Sequence, residues 1–309
     1  MNAPTITRSP VALSPFSSKH TAYVYDAAGH DYLSYADGDA TQPFNFTSMY
    51  SFADREIWRR LDATMIRLAR EGRKTISILD AGCGPGTWLR RMALRARELG
   101  FAQVKAIGFD ISSGMINLAK ADAARIEDQA IRMSFAVRDI TKGPAFGTAE
   151  FDICLCLYGV LNHLPVAAHR EVAAELSRVT RDSLFVTVRA VGSQPTIYID
   201  KLDQAQSFYQ NNDSDVIEID LVNGAHIGLT SHLFSSGELQ ALFQPCLSGT
   251  AMVGLDLFHG RFAADKRWNP AEIERQKDFE SDLDELEHRY ASNPNFIDRA
   301  AHILLIGER

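Results

Sequence analysis

The residues best suited to chemistry begin with Ile78-Leu79-Asp80-Ala81-Gly82-Cys83-Gly84-Pro85-Gly86-Thr87-Trp88. Gly82, Gly84 and Gly86 allow positive φ and let a ligand approach the backbone closely. Asp110 follows a little over ~20 residues later, where an acidic side chain accepts hydrogen bonds from ribose hydroxyls. Asp139, within Val137-Arg138-Asp139-Ile140, is placed to accept from an exocyclic amine. Leu157-Tyr158-Gly159-Val160-Leu161-Asn162-His163-Leu164 then brings a phenol and an imidazole. A glycine-rich turn alone also serves packing. The ordered acids after it make this a nucleoside site.

Two nucleoside ligands compete for it. A nicotinamide dinucleotide calls for G-x-G-x-x-G, with its pyrophosphate on the following helix N-terminus. Here the spacing is G-x-G-x-G, and Asp80 before the turn would repel a pyrophosphate. An acid at that place suits a ligand carrying an ammonium group and a sulfonium centre.

Alternating elements must position these residues. Apolar strands are predicted at 76–80, 104–110, 133–137, 151–157 and 183–188, with helices at 87–99, 113–125 and 167–179. Strands that are continuously apolar and alternate with helices indicate a parallel sheet covered on both faces. Two further strands, 251–257 and 301–306, complete an α/β, Rossmann-like, doubly wound and mostly parallel sheet of seven strands. A helix is predicted from Ser51, with Asp54 in a capping arrangement, and another at 235–243.

Four regions follow from this pattern. Residues 1–50 form an N-terminal arm and lid, loose over 1–20 and packed through tyrosines and phenylalanines over 21–50. Residues 51–190 are the nucleoside-binding core. Residues 191–233 break the rhythm and read as an inserted substrate lobe. Residues 234–309 complete the sheet, with a helical insertion at about 262–300. The alternating charges of that insertion mark a solvated face, with a dimer contact or a lid as alternatives.

Composition sets limits on function. With 32 basic and 39 acidic residues, the 309-residue chain has a net charge of −7, which argues against nucleic acid or anionic membrane as partner. No apolar run reaches the ~20 residues of a membrane span. Four cysteines without C-x-x-C spacing point to reduced core thiols and a cytoplasmic location. Cys154 and Cys156, two apart on a strand, share a face. No acid and histidine cluster stands out, so no metal is expected.

The sequence resembles the class I S-adenosylmethionine-dependent methyltransferases of the small-molecule type. The resemblance rests on Leu79 through Thr87, Gly108-Phe109-Asp110-Ile111-Ser112 with Met115, Arg138-Asp139-Ile140, and Phe151-Asp152 through His163-Leu164-Pro165. It implies S-adenosylmethionine as cofactor. Gly82, Cys83 and Gly84, in the turn closed by Gly86, would lie against its methionine part, with Asp80 holding that end. Asp110 would bind the ribose, Ile111 and Met115 would flank the adenine, and Asp139 with Ile140 would meet the adenine amine. The main chain at Leu157 and Tyr158 would reach the methionyl end, and Tyr25 would close over the cofactor.

The implied reaction is in-line methyl transfer to N, O or S of a small polar metabolite. His163 is the candidate base, with a loop-holding hydrogen bond as its alternative role. Tyr158 contacts cofactor or acceptor. Arg189 and Arg261, near strand ends, are candidates to fork onto an acceptor carboxylate, each with a structural ion pair as alternative, and His232 is a weaker base candidate. A nicotinamide-dependent oxidoreductase and a non-catalytic nucleoside-binding protein on the same fold remain as other readings.

Overall fold

A computed structural model describes residues 17–28, 44–46, 50–143, 145–193, 205–221, 224, 226–259 and 277–309. Its centre is a seven-stranded sheet of β1 (Thr75–Ala81), β2 (Gln103–Asp110), β3 (Ile131–Val137), β4 (Phe151–Cys156), β5 (Thr180–Arg189), β9 (Gly249–Leu255) and β10 (His302–Glu308). The strand order is β3-β2-β1-β4-β5-β10-β9. Only β10 runs antiparallel to its neighbours. The order reverses between β1 and β4, the place where open α/β sheets leave a crevice at the carboxyl ends of their strands.

The apolar pattern explains the layers. On β1, Ile76 and Ile78 face one core while Leu79 and Ala81 face the other. On β4, Ile153 and Leu155 join the first core, and Cys154 and Cys156 share the second. Helices α2 (Ser51–Arg70), α3 (Thr87–Glu98) and α4 (Ser113–Ala123) cover the first face. Helices α5 (Val166–Val179) and α6 (Ser236–Phe243) cover the second. All four cysteines are free thiols.

Three strands stand apart from this sheet. β6 (Ala205–Asn211), β7 (Val216–Leu221) and β8 (His226–Thr230) form an antiparallel sheet within the stretch expected to be an insert. Ile217, Ile219 and Leu229 on it pack against Val24 of helix α1 (Ser18–Ala28). α1 therefore starts inside the stretch expected to be loose, and it lies between the small sheet and α4.

Two further expectations shift. Asp54 does not cap α2, whose N-cap position is Tyr50 with no side-chain capping bond to the helix; its carboxylate instead takes the hydroxyl of Tyr158. The described part of the predicted charged helix, α7 (Lys277–Tyr290), is not solvated all round. Its buried Glu287 accepts the backbone N–H groups of Leu257 (3.0 Å), Phe258 (2.6 Å) and His259 (2.9 Å). A short helix α8 (Pro294–Ile297) leads from it into β10. Among the described residues no helix is long and apolar enough to cross a membrane.

Candidate active site

A cleft opens at the carboxyl ends of β1 to β4, beneath α1. It holds about 800 Å³ of space, open solvent at its mouth included. The glycine turn forms one wall. The N–H groups of Gly82 and Cys83 both donate to the Phe109 carbonyl, at 2.8 and 2.9 Å. A Cβ at Gly82, where φ is +80°, would sit 2.3 Å from Cγ2 of Val160. No side chain fits there.

Asp110 ties the turn to β2. Its Oδ2 accepts the Gly84 N–H and its Oδ1 the Ser112 N–H, both at 2.9 Å. Burial raises its carboxyl above the usual range even against these donors. Each oxygen keeps acceptor capacity for a ligand. Asp139 Oδ1 accepts the N–H and hydroxyl of Thr141, at 2.9 and 2.7 Å. Burial pushes Asp139 up, but these bonds and one from Ser18 hold it below the usual range.

α1 is pinned across the cleft at three points. Ser18 reaches Asp139. Tyr25 Oη lies 2.9 Å from His163 Nε2. Asp26 Oδ1 accepts the Ser112 hydroxyl (2.5 Å) and the Gly114 N–H (2.9 Å) at the start of α4. There the exposed N–H groups and the helix dipole favour an anion.

His163 closes the far side, on the 3₁₀ turn Leu161–His163. Its Nδ1 is 2.7 Å from the Thr230 carbonyl. A carbonyl only accepts, so the hydrogen-bond network puts the ring proton on Nδ1. Nε2 is left as the acceptor for the Tyr25 hydroxyl. Burial, with Arg189 nearby, pushes the imidazole down to about 4, so it is neutral near pH 7.

The cleft gathers Tyr25, Gly82, Gly84, Asp110, Ile111, Met115, Asp139, Ile140, Leu157, Tyr158 and His163 from the predicted set. Other predicted residues stand elsewhere. Asp80 is buried behind the lining, where burial and the charge of Asp110 lift its carboxyl to about 8. The Cys83 side chain packs into the core, in the space left by the missing Cβ of Gly108. Gly86 is the left-handed N-cap of α3 and lies against Phe135.

Tyr158 lines the cleft with φ +55°, but its hydroxyl is committed to Asp54. Arg189 is buried at the end of β5 and does not line the cleft. His232 also lies off the cleft, with Asp215 on one ring nitrogen and Glu238 on the other. Arg261 falls outside the described residues.

Sequence reasoning missed Asp26, Ser18 and Thr230. The first two sit beside Tyr25 on one amphipathic helix, a signal that was readable. Thr230 acts through its carbonyl, which no side-chain pattern reveals. It also missed Asp256, after β9, a buried carboxylate that faces the Ala53 backbone N–H. Burial and the nearby acids Glu287 and Asp54 lift its carboxyl to about 8.

Residues 78–183, the span that builds this cleft, match the family model described as a methyltransferase domain. The core of the chain is thus similar in sequence to a methyltransferase domain. Solved structures with the same fold include a complex of DhpI with SAH. It shares 12% identity at a TM-score of 0.53, covering 96% of this chain and 98% of that one. Another is magnesium protoporphyrin IX methyltransferase (ChlM) from Synechocystis PCC 6803 with bound SAH. It shares 16% identity at a TM-score of 0.50, covering 95% and 100%. No curated protein sequence matches the chain. The matched residues supply the glycine turn and the acids, while α1, which closes the cleft, and Thr230, which holds the His163 ring, lie outside the matched span.

Proposed function

We propose that this enzyme transfers a methyl group from S-adenosylmethionine to N, O or S of a small polar metabolite. The donor supplies an electrophilic methyl on a sulfonium leaving group. The cleft residues fit it. Gly82 and Gly84 leave room for the methionyl end, and a ligand ammonium would draw the proton off the buried Asp80 beside them. Asp110 offers its remaining lone pairs to the ribose hydroxyls, as a carboxylate held by two backbone N–H groups does well. Ile111 and Met115 would flank the adenine, and Asp139 would accept from its amine.

The protein's part is orientation and exclusion of water. Orientation in a closed site is worth ~7–11 kcal/mol of such a barrier. α1, backed by the β6–β8 sheet through Val24, covers the space beside His163, which favours a metabolite over a polymer. The acceptor's proton passes to Tyr25 Oη as the Tyr25 proton passes to His163 Nε2. An imidazole pushed down to about 4 is a weak base. It suits an acceptor that sheds its proton late, once the new bond to carbon has made that proton acidic.

The single observation carrying this reading is the Tyr25–His163 hydrogen bond at the end of a cleft that also holds Asp110 and the glycine turn. The test is incubation of the full chain with methyl-labelled S-adenosylmethionine and a metabolite extract, with mass identification of labelled products. A labelled small molecule that disappears with Asp110→Ala is expected. Saturable donor binding with no labelled product from any extract would count against catalysis.

A further inference from the structure

Behind the Leu161–His163 turn, three residues from separate segments converge: His169 of α5, His232 after β8, and Glu238 of α6. One nitrogen of each imidazole and one Glu238 oxygen lie within 4.8 Å of one another. His169 is 2% exposed. Its Nε2 faces the carbonyls of Leu161 (3.0 Å) and Leu164 (3.2 Å), so Nε2 carries the proton. Nδ1 is then the lone-pair nitrogen, and it is buried with no hydrogen-bond partner. A buried acceptor left without a donor is destabilising.

His232 presents the matching half. Its Nδ1 is 2.9 Å from Asp215 Oδ1, and its Nε2 is 2.8 Å from Glu238 Oε1. With the ring proton given to Asp215, the Nε2 lone pair confronts a carboxylate oxygen, itself an acceptor. A cation between them removes that conflict and also satisfies His169 Nδ1. Two imidazoles and a carboxylate are a donor set for zinc and its neighbours in the first transition row. The outer contacts agree. Each imidazole donates its other N–H to a backbone carbonyl or a carboxylate, as metal-ligating histidines do.

We infer that His169 Nδ1, His232 Nε2 and Glu238 form a binding site for a divalent transition-metal ion, of which Zn²⁺ is the type. Ion–donor distances of ~2.0–2.2 Å are reached by small side-chain movements within the observed cluster. None of the three residues lines the cleft, so the ion is structural. His169 holds the carbonyls at both ends of the turn that carries His163. The His232 backbone N–H donates to the Asn162 carbonyl at 2.8 Å, and its own carbonyl accepts the Asn162 side-chain amide. The ion ties α5, α6 and the strand end after β8 to the back of that turn. The inference does not depend on the identity of the methyl donor or acceptor.

The test uses the full chain without an affinity tag, stripped with a chelator and titrated with Co²⁺ alone, then with Zn²⁺. One equivalent of Co²⁺ is expected, with the visible d–d absorption of a four- or five-coordinate ion, and Zn²⁺ should displace it. Zn²⁺ should also raise the unfolding temperature, because an ion that binds only the folded state stabilises it. His169→Gln and His232→Gln should abolish both signals. Asp215→Asn, which leaves the ligands intact, should weaken Co²⁺ binding by about 10–100-fold. If a histidine variant does not fold, Glu238→Gln and Asp215→Asn carry the test. No stoichiometric Co²⁺ binding would overturn the inference and leave His232 as an imidazolium between two carboxylates. Equal Co²⁺ spectra and Zn²⁺ shifts in wild type and Glu238→Gln would overturn it as well.

Discussion

Tyr25 Oη on α1 lies 2.9 Å from His163 Nε2 on the turn after β4, and the opposite nitrogen of that ring is held by the Thr230 carbonyl. Three segments far apart in sequence thus orient one imidazole. Tyr25→Phe and His163→Ala should each lower turnover by about 10²-fold or more, the low end of general acid–base contributions. Donor affinity should change much less. Steady-state kinetics beside calorimetric titration separates the two, and equal losses in both would assign the pair to holding α1 in place.

The same ring sets a pH dependence. Its neutral form is the acceptor, and burial moves its titration from the ordinary 6.5 down to about 4. The acid limb of kcat/KM should therefore lie well below 6.5. Stability has the same sign. The unfolded chain takes up the His163 proton first, so this residue's contribution is present above 6.5 and is lost as pH falls toward about 4. A limb at 6.5 or above would mean that another group controls the rate.

Asp110→Ala removes the acceptor offered to the ribose and frees the Gly84 and Ser112 N–H groups. S-adenosylmethionine binding should weaken by about 2 kcal/mol or more, the range for a lost charge-assisted bond. Calorimetry reads this directly, and unchanged affinity would place the sugar elsewhere.

Asp26→Ala should release α1 from the N-terminus of α4. A capping carboxylate is worth ~1 kcal/mol, so global stability should fall only modestly. Hydrogen exchange over residues 18–28 should rise sharply, and the KM for the donor should rise with it. Exchange unchanged in that helix would show that Ser18, Tyr25 and Val24 hold the lid without Asp26.

Asp256→Asn tests a buried acid outside the cleft. Folded, Asp256 keeps its proton up to about 8; unfolded, it loses it near ~3.9. Between those values the native state binds more protons, so stability falls as pH rises. The variant should flatten that decline. Urea unfolding at about pH 5 and about pH 8 reads it, and an identical slope in both proteins would assign the decline to other groups.

The glycine turn and the acids were legible because their chemistry is local: a strand, a tight turn and a carboxylate at the next strand's end need no tertiary knowledge. The sheet was legible through its continuous apolar runs. Side-chain direction was not. Arg189 and His232 sit near strand ends as expected, yet the first is buried at the end of β5 and the second is engaged by Asp215 and Glu238. Cys83 turned inward because Gly108 on the neighbouring strand leaves a space the size of a sulfur. Asp54 looked like a cap from its spacing to Ser51, but the Tyr158 hydroxyl, from the turn after β4, took its carboxylate. The cluster of His169, His232 and Glu238 was invisible because no two of its members share an element.

Helix α1 crosses the cleft with a hydrogen bond near each end and a third at Tyr25. A spent nucleoside leaving by that route has to unlatch the helix first. Departure then becomes the slow stage of the cycle, and rapid mixing should show a fast first round of product followed by a lower sustained rate.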